Sequence, residues 1–351
     1  MENIINKIKE NNLVGRGGAC FPVATKWEAV KNAKGAKKYV VCNAAEGEPG
    51  VKKDGFILKK YPDKVIDGMK LAIDFLSADN VEVKGIIYLN KKYYRSFGGK
   101  LLKLIGDYPI EIFEKPIHAG YIGGEESSAL NAIEGKRIEP RLRPPFPTTD
   151  GLHDCPTLIN NVESLLNVSL ANSDKYEKKR FYTVSGDCPW EGVYELGEDY
   201  TIEKILEETG NYPNFSFFAQ VGGDGSGEVL NQKQLARPAS GAGSIRIYSI
   251  ERHNPKILLF DWVNFFVNES CGQCAPCREG VYRLREILES KSPDWKLFKA
   301  LLANLSETAI CGLGCAVPVP IVSYIKNVLI NMPKNKIELE GLDKKMICEC
   351  F

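Results

Sequence analysis

The sequence predicts three successive architectures. An α/β domain on a parallel sheet spans residues 1–172, a small mixed-sheet domain spans 173–250, and a helical domain carrying a metal cluster spans 251–334, followed by a tail at 335–351. Three observations carry this reading. Short apolar runs alternate with helix-length amphipathic segments in the first half, as in parallel sheets. Shorter strand runs surround a single helix in the middle. The last third holds four helix-length segments, the right size for a small bundle, and the spacing Cys271-x2-Cys274-x2-Cys277.

In chain order, residues 1–14 read as a helix with Ile4, Ile5 and Ile8 on one face. A glycine-rich turn follows at Gly15-Arg-Gly-Gly18. Tyr39-Val-Val-Cys42 reads as a buried strand running into Asn43-Ala-Ala-Glu-Gly-Glu-Pro-Gly50. Helices at 62–77 and 91–106 alternate with strands at 85–89 and 110–113. The proline-rich segment 138–157 reads as an ordered loop, and a helix beginning near Asn160 closes the domain. Beyond it, strands at 181–187 and 192–196, a helix at 201–208 and a strand at 217–221 make the small mixed sheet. Gly222-Gly-Asp-Gly-Ser-Gly227 follows that strand with no helix opening after it and reads as a flexible loop. Helices at 258–269, 278–290, 294–305 and 318–331 complete the bundle.

Within Ser270-Cys-Gly-Gln-Cys-Ala-Pro-Cys277, three thiols fall inside seven residues. That arrangement supplies three corners of a [4Fe–4S] cubane, with a fourth cysteine from elsewhere. Zinc sites more often use separated C-x2-C pairs or cysteine with histidine. Cys311 and Cys315 are the nearest candidates for the fourth corner, and spacing does not choose between them. Cys348 and Cys350 sit in a terminal tail, a mobile place for a ligand. A cluster of this kind moves electrons singly.

Composition narrows the class. The net charge of +1 favours neither nucleic acid nor an acidic membrane surface as partner. No apolar run reaches membrane-spanning length and the N-terminus has no signal-peptide core, so a cytoplasmic location is expected. There, 11 cysteines point to metal ligation and core thiols rather than to disulfides. The three histidines, His118, His153 and His253, form no triad or metal pattern, and no base adjoins Cys20 or Cys42.

A second site is suggested in the first domain. The Gly15–Gly18 turn lets backbone N–H groups approach a phosphate, with Arg16 and Lys26 adding charge. A structural turn explains the same residues equally well. Two acidic clusters flanked by glycines, Glu46-Gly-Glu48 and Gly123-Gly-Glu125-Glu126, offer acceptors to ribose hydroxyls and ring N–H groups. Asn160-Asn161-Val-Glu163 adds amides.

Six motifs occur together and in order: Gly15-Arg-Gly-Gly-Ala-Cys-Phe-Pro22 with Lys26-Trp27, Cys42-Asn-Ala-Ala-Glu-Gly-Glu-Pro-Gly50, Tyr121-Ile-Gly-Gly-Glu-Glu126, Asn160-Asn-Val-Glu163, the Cys271–Cys277 run, and Cys311-Gly-Leu-Gly314. In this the chain resembles the FMN-containing, NADH-oxidising 51 kDa-type subunits of respiratory complex I. It is equally similar to the diaphorase subunits of NAD-linked hydrogenases and formate dehydrogenases. The likeness runs from about Asn12 to about residue 331.

The resemblance implies a Rossmann-like FMN-binding domain, then a β-grasp domain, then the cluster-bearing bundle. Flavin contacts would fall on Gly15, Arg16, Gly17, Lys26, Asn43, Gly124, Glu125, Asn160 and Asn161, and NADH contacts on Phe21, Glu46, Glu48 and Glu126. The Cys-x-Leu-Gly context makes Cys311 the fourth ligand beside Cys271, Cys274 and Cys277. Hydride would pass from NADH to FMN, and single electrons would leave through the cluster to a partner. Glu48 near the adenosine ribose would disfavour NADPH by charge repulsion. The partners implied are a thioredoxin-like [2Fe–2S] subunit and a further iron–sulfur, hydrogenase or dehydrogenase subunit, as separate chains. No nucleic acid and no membrane span are implied.

Four positions depart from the family pattern. Ala45 replaces an aspartate, Cys20 a glycine, Gly123 a cysteine or alanine, and Ala29 an aromatic whose stacking on adenine is worth about 1–3 kcal/mol in nucleic-acid sites. Two rival readings follow from the sequence. One is a flavin-free cluster scaffold marked by Ala45; the other is a ligand-binding module on the β-grasp domain, for which nothing at 181–237 marks a site.

Overall fold

The computed structural model describes residues 2–77, 81–173, 176–333, 339 and 341–342. It divides into two compact units, residues 1–47 with 52–178, and residues 48–51 with 179–351.

The first unit contains α1 (Glu2–Glu10), α2 (Val23–Asn32), β1 (Lys37–Ala44), α3 (Lys53–Lys60), α4 (Pro62–Ser77), β2 (Glu82–Leu89), α5 (Lys91–Ile105), β3 (Ile110–Glu114), α6 (Glu126–Ile133), β4 (Thr157–Asn161) and α7 (Val162–Ala171). Its four strands are all parallel, in the order β3-β2-β1-β4. Tyr39–Cys42 is buried throughout, as a parallel strand covered on both faces requires. Proline at the first position of α4, and Asn90 and Asn161 as N-caps of α5 and α7, mark helix starts that the sequence encodes locally. On the helical layer, α4 and α7 approach so closely that a Cβ on Gly68 would lie 2.1 Å from the Leu165 carbonyl oxygen. The helix expected over residues 1–14 stops at Glu10, and Asn12 turns the chain with a φ of +49°.

The chain builds β1, β2 and β3 outward in one direction, then returns to lay β4 on the other side of β1. That reversal is a topological switch point, where open α/β sheets bind ligands beyond the carboxyl ends of their strands. Asn43, one residue before the end of β1, and Asn161, which ends β4, are register partners there.

The second unit contains β5 (Lys179–Gly186), β6 (Gly192–Gly197), α8 (Ile202–Glu208), β7 (Phe217–Val221), β8 (Glu228–Asn231) and β9 (Ser244–Ser249), then α9 (Pro255–Glu269), α10 (Ala275–Glu289), α11 (Trp295–Thr308), α12 (Gly312–Ala316) and α13 (Pro318–Asn327). The strand order is β6-β5-β9-β7-β8, with β5 and β9 parallel and the other pairs antiparallel. This is the β-grasp arrangement. Its core joins Ile202, Ile205 and Leu206 of α8 to Tyr182, Phe217 and Ile247 of the sheet. The edge strand β8 is covered by α13: Ser323 Oγ accepts from Val229 N at 2.8 Å, and Asn327 Nδ2 donates to the Val229 carbonyl at 2.7 Å. A helix on a sheet edge blocks pairing with another chain.

The 222–227 segment differs from the flexible loop expected. Glu48 Oε1 accepts from Gly225 N at 3.0 Å and Ser226 N at 3.1 Å, and Oε2 from the Ser226 hydroxyl at 3.0 Å. Asp224 is fixed by Ser244 at 2.9 Å and Arg246 at 2.8 Å. The carboxylate that holds the loop comes from a distant stretch of sequence, so no local signal shows it. A second difference concerns membrane-length segments. Gly312–Asn331 reaches the length and apolarity of a membrane span, contrary to expectation, with half of it buried. It is broken into α12, α13 and a short 3-10 turn, and Tyr324 packs on Trp262 and Phe218, so it serves as a core element of this unit.

Candidate functional site

At the switch point the glycine turn closes on itself, with Gly15 N donating to the Phe21 carbonyl at 2.8 Å. Arg16 is buried, and its backbone N–H is held by Ser164 Oγ of α7 at 2.9 Å. A Cβ added to Gly17 would come 3.4 Å from Asn161 Cβ, and one on Gly124 would come 3.5 Å from Ala45 Cβ; Gly18 faces open space. These glycines therefore leave a bare backbone cradle over the ends of β1 and β4. Exposed backbone of this kind is what a phosphate or flat ring would approach, and Lys26 supplies a cation beside it.

The polar residues form one connected set. Lys26 Nζ pairs with Glu126 and donates to the Ile159 carbonyl at 3.2 Å, and its ammonium lies 6.0 Å from the ring centre of the half-exposed Phe21. Asn43 Nδ2 donates to the Gly124 carbonyl at 2.9 Å. Asn160 Oδ1 accepts from the Trp27 indole at 3.1 Å. Asn161 Oδ1 accepts from Lys53 at 2.9 Å, and its Nδ2 donates to Asp54 at 2.7 Å. The three asparagines thus brace the cradle. Glu125 caps α6, accepting from Ser128 N at 2.9 Å and Ser127 Oγ at 2.6 Å.

Two of the acidic residues expected at the nucleotide hold other partners. Glu46, at a φ of +26°, accepts from Asp54 N at 2.6 Å, Gly55 N at 3.2 Å and the Tyr93 hydroxyl, which sets its carboxyl group on the N-terminus of α3. Glu48 belongs to the second unit and holds the 222–227 segment. Sequence reasoning missed Arg143, which pairs with Glu125 and reaches Glu126 at 3.9 Å. A cation beside two prolines in a loop read as ordered was the available signal. Ala45 is buried in the apolar layer with Tyr39, Val41 and Tyr88, so its methyl packs beneath Gly124.

Beneath the cradle lies a buried charge network. Lys53 is 2% exposed and contacts Asp54 at 2.8 Å and Glu163, itself fully buried, at 3.1 Å. Burial pulls the Lys53 ammonium down, but the Asp54 and Glu163 carboxylates outweigh it and hold it above its usual value. Burial pushes the Glu46 carboxyl up to about 7, with the charge of Asp54 acting the same way and the Tyr93 hydroxyl opposing. The folded chain therefore keeps a proton that the unfolded chain releases near 4.5. Stability is fullest below that value and falls as pH rises toward 7, by at most about 1.4 kcal/mol per unit. Urea midpoints between about pH 5 and pH 7 should decline for the unmodified chain and flatten for Glu46→Gln.

Cys20 occupies the left-handed region at φ +53° and is exposed. A non-glycine residue there costs of order 1–3 kcal/mol, partly offset by the greater unfolded-state freedom of glycine. Cys20→Gly is expected to raise the unfolding free energy by up to about 1 kcal/mol in the same urea assay.

In the second unit, Cys274 is the N-cap of α10, Cys277 lies in its first turn, and Cys311 is the N-cap of α12. Helix N-termini favour thiolate over thiol. Burial pushes the Cys277 thiol up to about 11. A 3.3 Å hydrogen bond with Ser270 opposes the rise, and Cys274, Cys311 and Cys271 add to it through their charge. The four sulfurs therefore share one neighbourhood. Cys315 Sγ instead lies 3.4 Å from the Ala309 carbonyl. Gly314 lets α12 approach: a Cβ there would lie 2.5 Å from Ala309 Cβ and 3.5 Å from Cys277 Cβ. Among the described residues no three His, Cys, Asp or Glu side chains converge as a single metal ion requires. The donor set, a C-x2-C-x2-C run of thiols with no histidine among them, suits an iron–sulfur cluster better than zinc. Cys348 and Cys350 lie outside the described residues.

Residues 8–170 match the family described as Nuo51 FMN-binding domain, and residues 258–329 match the NADH-ubiquinone oxidoreductase-F iron-sulfur binding region. An NADH-quinone oxidoreductase subunit of Rhizobium meliloti (strain 1021) is 33% identical over 89% of this chain and 84% of its own length. The chain belongs to the 51 kDa family of NADH-quinone oxidoreductase subunits. FMN and a [4Fe–4S] cluster are the cofactors of this family. The chain is also similar to the NAD-reducing hydrogenase HoxS subunit alpha of Cupriavidus necator, at 33% identity over 93% of this chain and 59% of the relative. The crystal structure of an NAD+-reducing [NiFe]-hydrogenase in the H2-reduced state superposes with a TM-score of 0.86 at 28% identity, covering 97% of this chain and 63% of that one. The chain thus spans about three-fifths of the hydrogenase chains it resembles.

Proposed function

We propose that this member of the 51 kDa family admits electrons from NADH and passes them to a partner redox subunit, with the flavin at the β1/β4 switch point and the cluster on Cys271, Cys274, Cys277 and Cys311. FMN, when bound, accepts two electrons as hydride and releases them one at a time, which is what a one-electron cluster needs. The observation that carries the reading is the glycine-lined backbone at the switch point, in a chain that also opens α10 with Cys274 and Cys277 and α12 with Cys311.

The chain's own residues bind and orient. Gly15, Gly17 and Gly124 give the ring and phosphate their approach, Arg16 and Lys26 supply positive charge, and Asn43, Asn160 and Asn161 fix the loops that carry them. Phe21 and Glu126 face the nucleotide, with Arg143 joining them. Glu48 supports the 222–227 segment, and Glu46 holds α3. No side chain has to move a proton for hydride transfer, in keeping with the lack of a catalytic histidine arrangement among the described residues.

As partners we propose a thioredoxin-like [2Fe–2S] subunit and a further iron–sulfur, hydrogenase or dehydrogenase subunit. The related proteins named above are themselves subunits. We place the complex in the cytoplasm, where thiols stay reduced and available to ligate metal. Steady-state reduction of a one-electron dye tests the substrate assignment. We expect kcat/KM for NADH to exceed that for NADPH by at least about tenfold, the equivalent of 1.36 kcal/mol. Equal use of both nucleotides would contradict the assignment.

A further inference from the structure

The C-cap of α9 is Ser270, whose hydroxyl oxygen lies 3.3 Å from Cys277 Sγ. The same oxygen accepts from Gly272 N at 3.4 Å, a bond that the φ of +75° at Gly272 makes possible. A backbone N–H thus occupies one lone pair of the oxygen, and the hydroxyl rotor can turn its O–H toward sulfur. An iron-bound thiolate carries no proton, so within this pair Ser270 is the donor. The loop is held in place by Arg278, whose Nη1 donates to the Gly272 carbonyl at 2.9 Å. Cys277 is also buried, whereas Cys271, Cys274 and Cys311 are partly exposed. Removed from water, its sulfur feels a fixed dipole more strongly than the other three do.

We propose that Ser270 is a positioning residue that tunes the cluster: its hydroxyl donates a hydrogen bond to the Cys277 sulfur and raises the reduction potential. This rests on the assignment of the [4Fe–4S] cluster to these four cysteines. Reduction adds one electron and no proton, so the cluster gains one negative charge. A donor aimed at a ligand sulfur stabilises that added charge more than the oxidised state, and such bonds are among the determinants of cluster potential.

The test is an anaerobic redox titration of the cluster-loaded chain, followed by electron paramagnetic resonance of the reduced cluster, with iron content measured alongside. For Ser270→Ala we expect full iron and an equilibrium constant for reduction lower by about tenfold, which for a one-electron couple is about 59 mV. Ser270→Thr keeps a hydroxyl and should titrate with the unmodified chain. An unchanged potential in Ser270→Ala at full iron content would overturn the proposal. If Ser270→Ala loses its iron, Ser270→Gly is titrated in its place. Should that variant also lose iron while Ser270→Thr retains it, the hydroxyl is needed to hold the cluster and the tuning role is overturned. If the unmodified chain itself holds no iron and gives no signal, the cluster assignment fails instead, a distinct result.

Discussion

Replacing Cys311 with alanine is expected to abolish the [4Fe–4S] cluster, while Cys315→Ala leaves it in place. The two cysteines are four residues apart and indistinguishable by spacing. They hold different places in the fold. Cys311 opens α12 as its N-cap, and its sulfur acts on Cys277 together with those of Cys271 and Cys274. Cys315 lies within α12, with its backbone N–H on the Cys311 carbonyl at 3.2 Å and its thiol on the Ala309 carbonyl. A cubane deprived of one corner ligand loses iron or its four-iron form. Iron and sulfide content, with paramagnetic resonance after reduction, read the outcome. Four irons retained in Cys311→Ala, or cluster loss confined to Cys315→Ala, would reverse the ligand assignment.

Lys53→Met is expected to destabilise the first unit by about 3–5 kcal/mol, the usual cost of removing one member of a buried charge pair. Lys53 neutralises Asp54 and Glu163 where water does not reach, and it also holds Asn161 Oδ1. Its loss removes the cation that two buried carboxylates share and frees the amide that braces the end of β4. Flavin affinity should fall with stability, since the cradle rests on that amide. Denaturant midpoints and FMN titration measure the two effects. A loss under about 1 kcal/mol would place this network with weak surface pairs.

Much of this molecule was legible from sequence because its local signals are strong. The buried run Tyr39–Cys42, the helix starting at Pro62 and the cysteine spacing each encode their structure within a few residues. What was not legible depends on long-range partners. β4 follows a proline-rich loop and carries two asparagines at its end, so it lacks the apolar signature of a strand, yet it sets the switch point. β8 and β9 lie beyond the glycine-rich loop and are fixed by pairing with β7 rather than by their own pattern. The helices α3 and α6 are only eight residues each and begin at charged residues, where periodicity is weak.

Membership of a motif did not assign a side chain's contacts. Glu46 and Glu48 sit two residues apart in an acidic cluster, yet one holds the N-terminus of α3 and the other the Gly225–Ser226 backbone. The partners of both lie in segments that no pattern connects. Lys53 belongs to none of the six motifs, and the fold encloses it with Asp54, Asn161 and Glu163.

The most direct test of the central claim is the visible spectrum of the anaerobically purified chain, before and after one equivalent of NADH. We expect flavin bands at near-equal stoichiometry with protein over a broad iron–sulfur shoulder, and bleaching of the flavin on addition of NADH. A cluster shoulder with no flavin, still unresponsive to NADH after FMN is supplied, would contradict NADH oxidation and leave an iron–sulfur relay without a flavin.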